Sequence, residues 1–382
     1  AEPGSERILK LAGLSRPMVL SSAIADFKAL CPEYTVEYTD YAELYGNQAL
    51  QQLQLDLMQG NAPDLLFVNG LPFELYGKRG LLENLYAWMD ADDSCASTDF
   101  TQNLLKALES AEHKLYQMPQ SYSIVTTAGL QNLAGSRSEW TYAAVNEELA
   151  NSKTLLSAFY GETGESLAAT LPLYMLPTFV DYENAEAHFD SAEAASFFTF
   201  LSKVQPHAQI PYTAENELEA LRKGEILFAQ LMLLSPEQFV ETDALFDGKL
   251  IYPGYPDAAG GSFYLNLPMA IPAAAQEKAG AWAFMKLLVS SDYYATRGGW
   301  LPLQSGFEAS IKDALADGAS EESLQKLAQI QENICSAAYY EEAITDILAD
   351  ETSYLFAGAR TVEETAERID QRVQLYLTEQ WG

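Results

Sequence analysis

Residues 57–68 read L-M-Q-G-N-A-P-D-L-L-F-V, and this stretch indicates a helix end, a turn and a buried strand in direct succession. The leucines that lead into it repeat at helical spacing, and Gly60 is a typical helix stop. The short apolar run over Asp64–Val68 is typical of a strand with both faces covered. The stretch therefore predicts an α/β fold with a parallel sheet.

The residues before this stretch extend the same alternation. Ile8–Leu14 has a strand pattern, residues 20–31 repeat apolar side chains at helical spacing, and Tyr34, Val36 and Tyr38 alternate as a second strand. Together these segments form a predicted β-α-β-α-β unit, with helices on both faces of the sheet. In such sheets ligands bind beyond the carboxyl ends of the strands.

The length and charge of the chain limit its architecture and its partners. A chain of 382 residues exceeds the size at which one hydrophobic core keeps growing, so two domains are expected. The formal net charge of −32 repels phosphates, which makes nucleic acid and anionic lipid surfaces poor partners. No run approaches the roughly 18 apolar residues that a membrane span needs.

The chain begins A-E-P-G-S-E-R, without Met. We expect a secretion signal or a lipid-anchor cysteine to be missing from this numbering, and any membrane association to depend on such an anchor. Cys31, Cys95 and Cys335 are widely spaced, so they predict small core residues and neither a disulfide framework nor a zinc site.

Motifs for catalysis, metals and cofactors are missing from the sequence. The three histidines are far apart, and there is no nucleophile elbow, phosphate-binding loop or dinucleotide fingerprint. No metal or cofactor is therefore predicted. A glycoside hydrolase needs two carboxylates roughly 5–10 Å apart, and with 54 acidic residues that alternative stays open.

A set of short motifs, in order along almost the entire chain, resembles the bacterial extracellular solute-binding proteins of ABC importers, the family that includes maltose-binding protein. The motifs begin with the opening stretch and end with a T-x-x-E capping box at Thr361 and Glu364, which starts a long amphipathic helix. Those between them are Y-G-K-R-G-L-L-E-N-L-Y (76–86), H-K-L-Y-Q-M-P (113–119), E-W-T (139–141), L-R-K-G-E-I-L-F-A-Q (221–230) and A-G-A-W-A-F-M-K-L-L (279–288).

The resemblance implies a two-lobe, periplasmic-binding-protein-like fold of type II. Each lobe would contain a mixed, mainly parallel sheet with helices on both faces. The expected lobes are residues 1–119 plus 262–302 and residues 120–261 plus 303–382, with hinge crossings near 119–123, 255–264 and 301–306.

The same resemblance implies an extracytoplasmic receptor, periplasmic or anchored to the cell surface, and not an enzyme. It would act as a monomer, bind a mono- or oligosaccharide between its lobes and deliver it to the permease subunits of an ABC transporter. A receptor for a non-sugar solute is the first alternative, because the family motifs describe the scaffold and not the pocket. A secreted glycoside hydrolase is the second.

The predicted ligand-binding residues are polar or aromatic side chains at strand ends and crossings, because sugars need flat apolar faces and hydrogen-bonding groups. Trp300 and Tyr255, which are flanked by Gly and Pro in irregular segments, are the main candidates for an aromatic platform. Asn69 presents an amide to a hydroxyl or caps the next turn. The full set is Asp40, Tyr41, Asn69, Phe73, Tyr122, Tyr174, Gln230, Met232, Tyr255, Phe263, Trp300 and Tyr340.

Overall fold

The computed structural model describes residues 7–67, 73–137, 139–204, 212–258, 260–290, 298–338 and 341–381. Its strands are β1 (Arg7–Gly13), β2 (Tyr34–Asp40), β3 (Leu65–Phe67), β4 (Met118–Leu130), β5 (Val180–Asp181), β6 (Glu186–Ala187), β7 (Ala229–Leu233), β8 (Leu250–Ile251), β9 (Gly261–Ala270) and β10 (Ile334–Ala337).

The helices occupy most of the segments that connect these strands. They are α1 (Leu20–Leu30), α2 (Tyr41–Tyr45), α3 (Ala49–Met58), α4 (Phe73–Lys78), α5 (Tyr86–Met89), α6 (Gln102–Leu108), α7 (Gln131–Ala134), α8 (Tyr142–Asn151), α9 (Gly164–Thr170), α10 (Pro172–Phe179), α11 (Ala192–Lys203), α12 (Ala214–Lys223), α13 (Pro236–Ala244), α14 (Lys278–Val289), α15 (Gln304–Ala316), α16 (Glu321–Glu332), α17 (Glu342–Phe356) and α18 (Val362–Trp381).

The chain forms two compact units, and each is discontinuous in sequence. The first unit contains Ala1–Ser123 and Leu265–Asp313, and the second contains Ile124–Tyr264 and Ala314–Gly382. Strands β4 and β9 each continue from one unit into the other.

The first unit is built on the predicted β-α-β-α-β segment. Strand β1 pairs in parallel with β2, from Arg7↔Tyr34 to Gly13↔Asp40. On its other side β1 pairs in parallel with β3, and β3 pairs antiparallel with the end of β9. All three residues of β3 are buried, as its apolar run predicts. The sheet is thus mixed and mainly parallel.

Aromatic packing fills the core of the first unit. The ring of Phe27 in α1 lies 5.1 Å from that of Phe284 in α14, which also contacts Phe67. Trp282, on the same helix, is 6% exposed, and its indole N–H donates a 3.0 Å hydrogen bond to Asp92. Helices α1 and α14 therefore cover the sheet through one apolar face each.

The second unit surrounds an antiparallel strand pair. Strand β4 pairs with β7 from Ile124↔Leu233 to Ala128↔Ala229, β8 extends β4, and β10 pairs in parallel with β9. Helices α8, α11, α17 and α18 supply much of a large apolar core, in which the ring of Tyr142 stacks on Phe200 at 5.0 Å.

The capping box that starts α18 is present as the sequence predicts. The Thr361 hydroxyl accepts a hydrogen bond from the Glu364 N–H at 3.2 Å, and the Glu364 carboxylate accepts one from the Thr361 N–H at 2.9 Å. Of the predicted apolar stripe, Ile369 and Val373 are fully buried. The helix therefore closes the core of the second unit with one face.

Two local expectations are wrong. Residues 140–160 are helical in pattern, but α8 ends at Asn151 because the Ser152 hydroxyl accepts from the backbone N–H groups of Thr154 and Leu155 and forms a turn. Cys335 is exposed and not a core residue, because it alternates along β10 with the inward-facing Ile334.

Within the described ranges, no helix combines the length and the apolar character that crossing a bilayer requires.

Candidate functional site

The second unit contains a cavity of 310 Å³ beside the β4–β7 strand pair. Val125 and Met232 are opposite each other in this pair, as are Thr127 and Gln230, so Gln230 and Met232 project from the same face of β7. The cavity is lined by Val125, Glu162, Tyr174, Tyr212, Gln230, Leu231, Met232 and Tyr255.

Two tyrosines form a flat aromatic wall of the cavity. The ring of Tyr174, from α10, stacks on that of Tyr255, with 3.9 Å between centroids and 12° between planes. The Tyr174 hydroxyl lies 2.8 Å from the Tyr264 hydroxyl. Burial raises the pKa of both Tyr174 and Tyr255, so both phenols keep their proton at neutral pH.

A sharp turn places Tyr255 in this wall. Gly254 has φ +79°, a conformation that glycine adopts without strain. The Gly254 carbonyl accepts a 2.6 Å hydrogen bond from the Thr127 hydroxyl of β4. The loop that carries Tyr255 is therefore fixed to the strand whose residues line the cavity.

Gln230 connects the aromatic wall to the polar side of the cavity. Its amide oxygen accepts a 3.3 Å hydrogen bond from the Tyr255 hydroxyl, and its amide nitrogen donates to Glu162 at 3.2 Å. Its backbone N–H donates to Glu217 at 2.9 Å. The two side-chain bonds hold the amide in one orientation at the cavity surface, and the backbone bond ties β7 to Glu217.

Two glutamates lie beside Gln230. Glu162 also accepts a 2.5 Å hydrogen bond from the Ser166 hydroxyl at the start of α9. Glu217 is 2% exposed and accepts from the Tyr212 hydroxyl at 2.9 Å. Burial raises the pKa of Glu217, and it also raises the pKa of Tyr212, to about 12. The polar side of the cavity is therefore rich in acceptors.

The chemistry of this arrangement suits recognition of a polar solute. A flat apolar face beside fixed amide and carboxylate groups can pack against C–H surfaces and hydrogen-bond hydroxyls. The lining residues that the structure describes include no histidine, cysteine or serine. In the described part of the chain, no group of three or more His, Cys, Asp or Glu residues could hold a metal ion.

Four of the residues predicted from sequence come together in this cavity: Tyr174, Gln230, Met232 and Tyr255. Phe263 is in the same unit but is fully buried within β9 and does not line the cavity.

Asn69 and Tyr340 lie outside the described residues.

Three predicted residues have packing or capping contacts in the first unit. The Asp40 carboxylate accepts from the Glu43 N–H at 3.1 Å and caps α2. Tyr41 is 6% exposed and donates its hydroxyl to Asp56 at 2.7 Å. Phe73 is buried at the start of α4. None of these three side chains lines the cavity.

Tyr122 and Trp300 pair with each other in the first unit. Each backbone N–H donates to the other residue's carbonyl at 2.8 Å, and the rings lie 6.2 Å apart. The Trp300 indole N–H donates to the Ser310 hydroxyl at 3.2 Å, and its ring packs on Phe307. Trp300 is 3% exposed and does not line the cavity.

Sequence reasoning missed Glu162 and Tyr212. Glu162 directly precedes Thr163, the N-cap of α9, and Tyr212 directly precedes Thr213, the N-cap of α12. Residues just before an N-cap have no sequence pattern that indicates a binding role. Only the packing of α9 and α12 near β7 brings them together, and no local pattern signals that packing.

Comparison with known proteins gives the chain its family. Residues 19–295 match the family model described as bacterial extracellular solute-binding protein. No curated protein sequence matches the chain.

Solved structures of solute-binding proteins resemble the whole fold. An ABC transporter solute-binding protein from Thermotoga lettingae, bound to α-D-tagatose, is 19% identical, with a TM-score of 0.58 and 97% and 100% of the two chains covered. The sugar-binding protein MalE from Xanthomonas citri is 16% identical, with a TM-score of 0.61 and coverage of 97% and 98%.

A third solute-binding protein, from Agrobacterium radiobacter in complex with ribitol, is 19% identical, with a TM-score of 0.57 and coverage of 98% and 100%. These likenesses confirm the predicted periplasmic-binding-protein-like fold. With a family match over more than half its length, the chain belongs to the bacterial extracellular solute-binding proteins.

Proposed function

We propose that this protein is the substrate-binding component of an ABC importer and that its solute is a carbohydrate. The observation that carries the proposal is the Tyr174–Tyr255 stack beside the fixed amide of Gln230. Family membership supports the solute-binding role, and the structures bound to tagatose and ribitol belong to proteins of the same fold.

The cavity would hold a sugar by two kinds of contact. The parts of the two buried tyrosines that line the cavity, with the exposed Met232, would cover the apolar C–H face of a pyranose ring. Gln230 and Glu162 would accept hydrogen bonds from its hydroxyls. Each such bond to a charged acceptor contributes about 1.5–3 kcal/mol.

The remaining parts of the proposal follow from the family. The protein would release its solute unchanged to permease subunits, act as a monomer without a cofactor, and be held at the membrane only by a lipid anchor. The two compact units would be its two lobes.

A thermal-shift screen against mono- and oligosaccharides tests the proposal. A ligand at 100 times its dissociation constant stabilises the folded state by about 2.7 kcal/mol, which gives a clear rise in Tm. Polyols, amino acids and short peptides serve as non-sugar controls. If only the non-sugar solutes stabilise the protein, the carbohydrate assignment is wrong.

Mass spectrometry of the recovered solute shows whether the protein acts as a receptor or as a hydrolase. Incubation of the protein with excess of a sugar that stabilises it should return that sugar intact and in full. Accumulation of shorter sugars over time would identify a glycoside hydrolase instead.

A further inference from the structure

Among the residues that the structure describes, no cation pairs with the negative charge on the polar side of the cavity. Glu162 lines the cavity, and Glu217 lies directly behind Gln230, which donates to both carboxylates. The other donors to these groups are the Ser166 and Tyr212 hydroxyls. All of these donors are neutral.

Of the buried carboxylates of the second unit besides Glu217, Asp243 and Glu351 are paired with cations, whereas Glu341 accepts a hydrogen bond from the Tyr376 hydroxyl. Asp243 lies 3.2 Å from Lys326, and Glu351 pairs with Arg360 and Arg372. Pairing with a cation is common for buried carboxylates, because burying an unpaired carboxylate raises the free energy of the folded state. Within the described ranges, the ion pairs include neither Glu162 nor Glu217.

The described part of the cavity wall supplies no positive charge. None of the described lining residues is Lys, Arg or His. The faces of tyrosine rings carry partial negative charge and attract cations. A bound cation would therefore meet carboxylate and aromatic groups together, whereas a bound anion would meet repulsion.

From this arrangement we propose that the solute carries a basic nitrogen, as an amino sugar does. Its ammonium group would lie against Glu162 and take the place of the missing counter-ion. The inference rests on the proposed carbohydrate-binding function and specifies its substrate class. Neutral sugars would bind more weakly and sugar acids most weakly.

The raised pKa of Glu217 agrees with this charge arrangement. Burial is the main cause of the raised pKa, the hydrogen bonds from Gln230 and Tyr212 oppose it, and the neighbouring Glu162 adds to it. A positive solute would stabilise the ionised form of Glu217.

Calorimetric titration with matched sugar triplets tests the inference. The triplets are the neutral, 2-amino and uronic acid forms of glucose, galactose and mannose, with the dimer of β-1,4-linked glucosamine and cellobiose as a longer pair. At about pH 6 the amine is protonated, since its pKa resembles that of an α-amino group. We expect the amino form of at least one series to bind about tenfold or more tightly than its neutral parent.

Two variants test whether the charge of Glu162 causes the preference for amino sugars over neutral sugars. Glu162→Gln removes the charge and keeps one oxygen acceptor in place of the two that receive the Ser166 and Gln230 bonds, so it should reduce the amino-to-neutral ratio to near one. Glu165→Gln removes the same charge from an exposed position on α9 and should keep the ratio. An unchanged ratio in Glu162→Gln would overturn the inference.

The outcomes distinguish the basic-solute inference from the carbohydrate-binding proposal on which it rests. Equal or tighter binding of neutral sugars in every series would refute the basic solute and leave the carbohydrate receptor intact. If no sugar of any charge binds, in the triplets or in the wider screen, both are wrong.

Discussion

The ring of Tyr174 lies parallel to the ring of Tyr255, with centroids 3.9 Å apart, although one residue comes from helix α10 and the other from the loop after β8. Offset and stacked aromatic pairs contribute about 0.5–1.5 kcal/mol beyond the area they bury. The stack therefore fixes a loop to a helix and presents a rigid wall to the cavity. A rigid wall lowers the entropy lost when a solute binds.

The Tyr255 hydroxyl should matter for affinity because it orients Gln230. In Tyr255→Phe the ring stack remains but the 3.3 Å hydrogen bond to the amide is lost. We expect solute affinity to fall by about 0.5–1.5 kcal/mol, measured by calorimetry with a sugar that stabilises the protein. Tyr354→Phe removes the same atom from a half-exposed residue outside the cavity and should bind normally. Equal affinity in both variants would contradict this role.

Glu217 should destabilise the folded protein at neutral pH. Burial raises its pKa, so the folded state binds its proton more tightly than the unfolded state does. The penalty is present above the folded pKa, shrinks as the pH falls through it, and is gone below the ordinary value of about 4.3. Glu217→Gln should therefore raise the free energy of unfolding at about pH 8, with the gain lost at about pH 4.

Urea unfolding at both pH values checks this expectation. Glu215→Gln is the control, because it removes a carboxylate from an exposed position on the same helix α12 and should give no gain. A gain in Glu217→Gln that is equal at both pH values would show that ionisation is not its cause.

The capping box at Thr361 should stabilise the second unit. Thr361→Ala removes the acceptor for the Glu364 N–H and should lower the free energy of unfolding by about 1 kcal/mol. Thr378→Ala makes the same substitution at an exposed position within α18, where the hydroxyl bonds only along the helix, and should cost less than about 0.5 kcal/mol. Equal losses would mean that the cap contributes nothing of its own.

Trp300 should contribute to stability through its bond to Ser310. Trp300→Phe loses the indole N–H and part of the buried ring, so we expect a loss of roughly 1–3 kcal/mol. A double-mutant cycle with Ser310→Ala should show a coupling of about 0.5–1.5 kcal/mol. If Trp300→Phe instead weakens solute binding with stability unchanged, the sequence-based prediction of a ligand contact holds and the packing role does not.

The fold could be predicted from sequence because its signals are local. The capping box at Thr361 and the apolar run of β3 depend on residues within a few positions of each other. The helical pattern over 140–160 does not predict the end of α8, because one side chain, Ser152, forms the turn and hydrophobic periodicity does not take it into account.

The candidate site is less accessible to sequence reasoning. A Gly-Tyr-Pro segment indicates a turn at Tyr255, but the same logic applied to Trp300 selects a residue that is 3% exposed in the first unit. Irregular backbone does not reveal which side of the chain faces a core. Glu162 and Tyr212 reach the cavity only through the packing of helices distant in sequence, so no local pattern identifies them. The role of the whole set stays a prediction.

Calorimetric titration of Tyr174→Ala tests the central claim most directly, since that claim is carbohydrate binding at the tyrosine wall. With a sugar that stabilises the wild type, we predict one site in the wild type and a loss of roughly 1–3 kcal/mol in the variant. Tyr354→Ala, a truncation outside the cavity, should keep the wild-type affinity, and circular dichroism should show that both variants are folded. Wild-type affinity in a folded Tyr174→Ala protein would contradict the account.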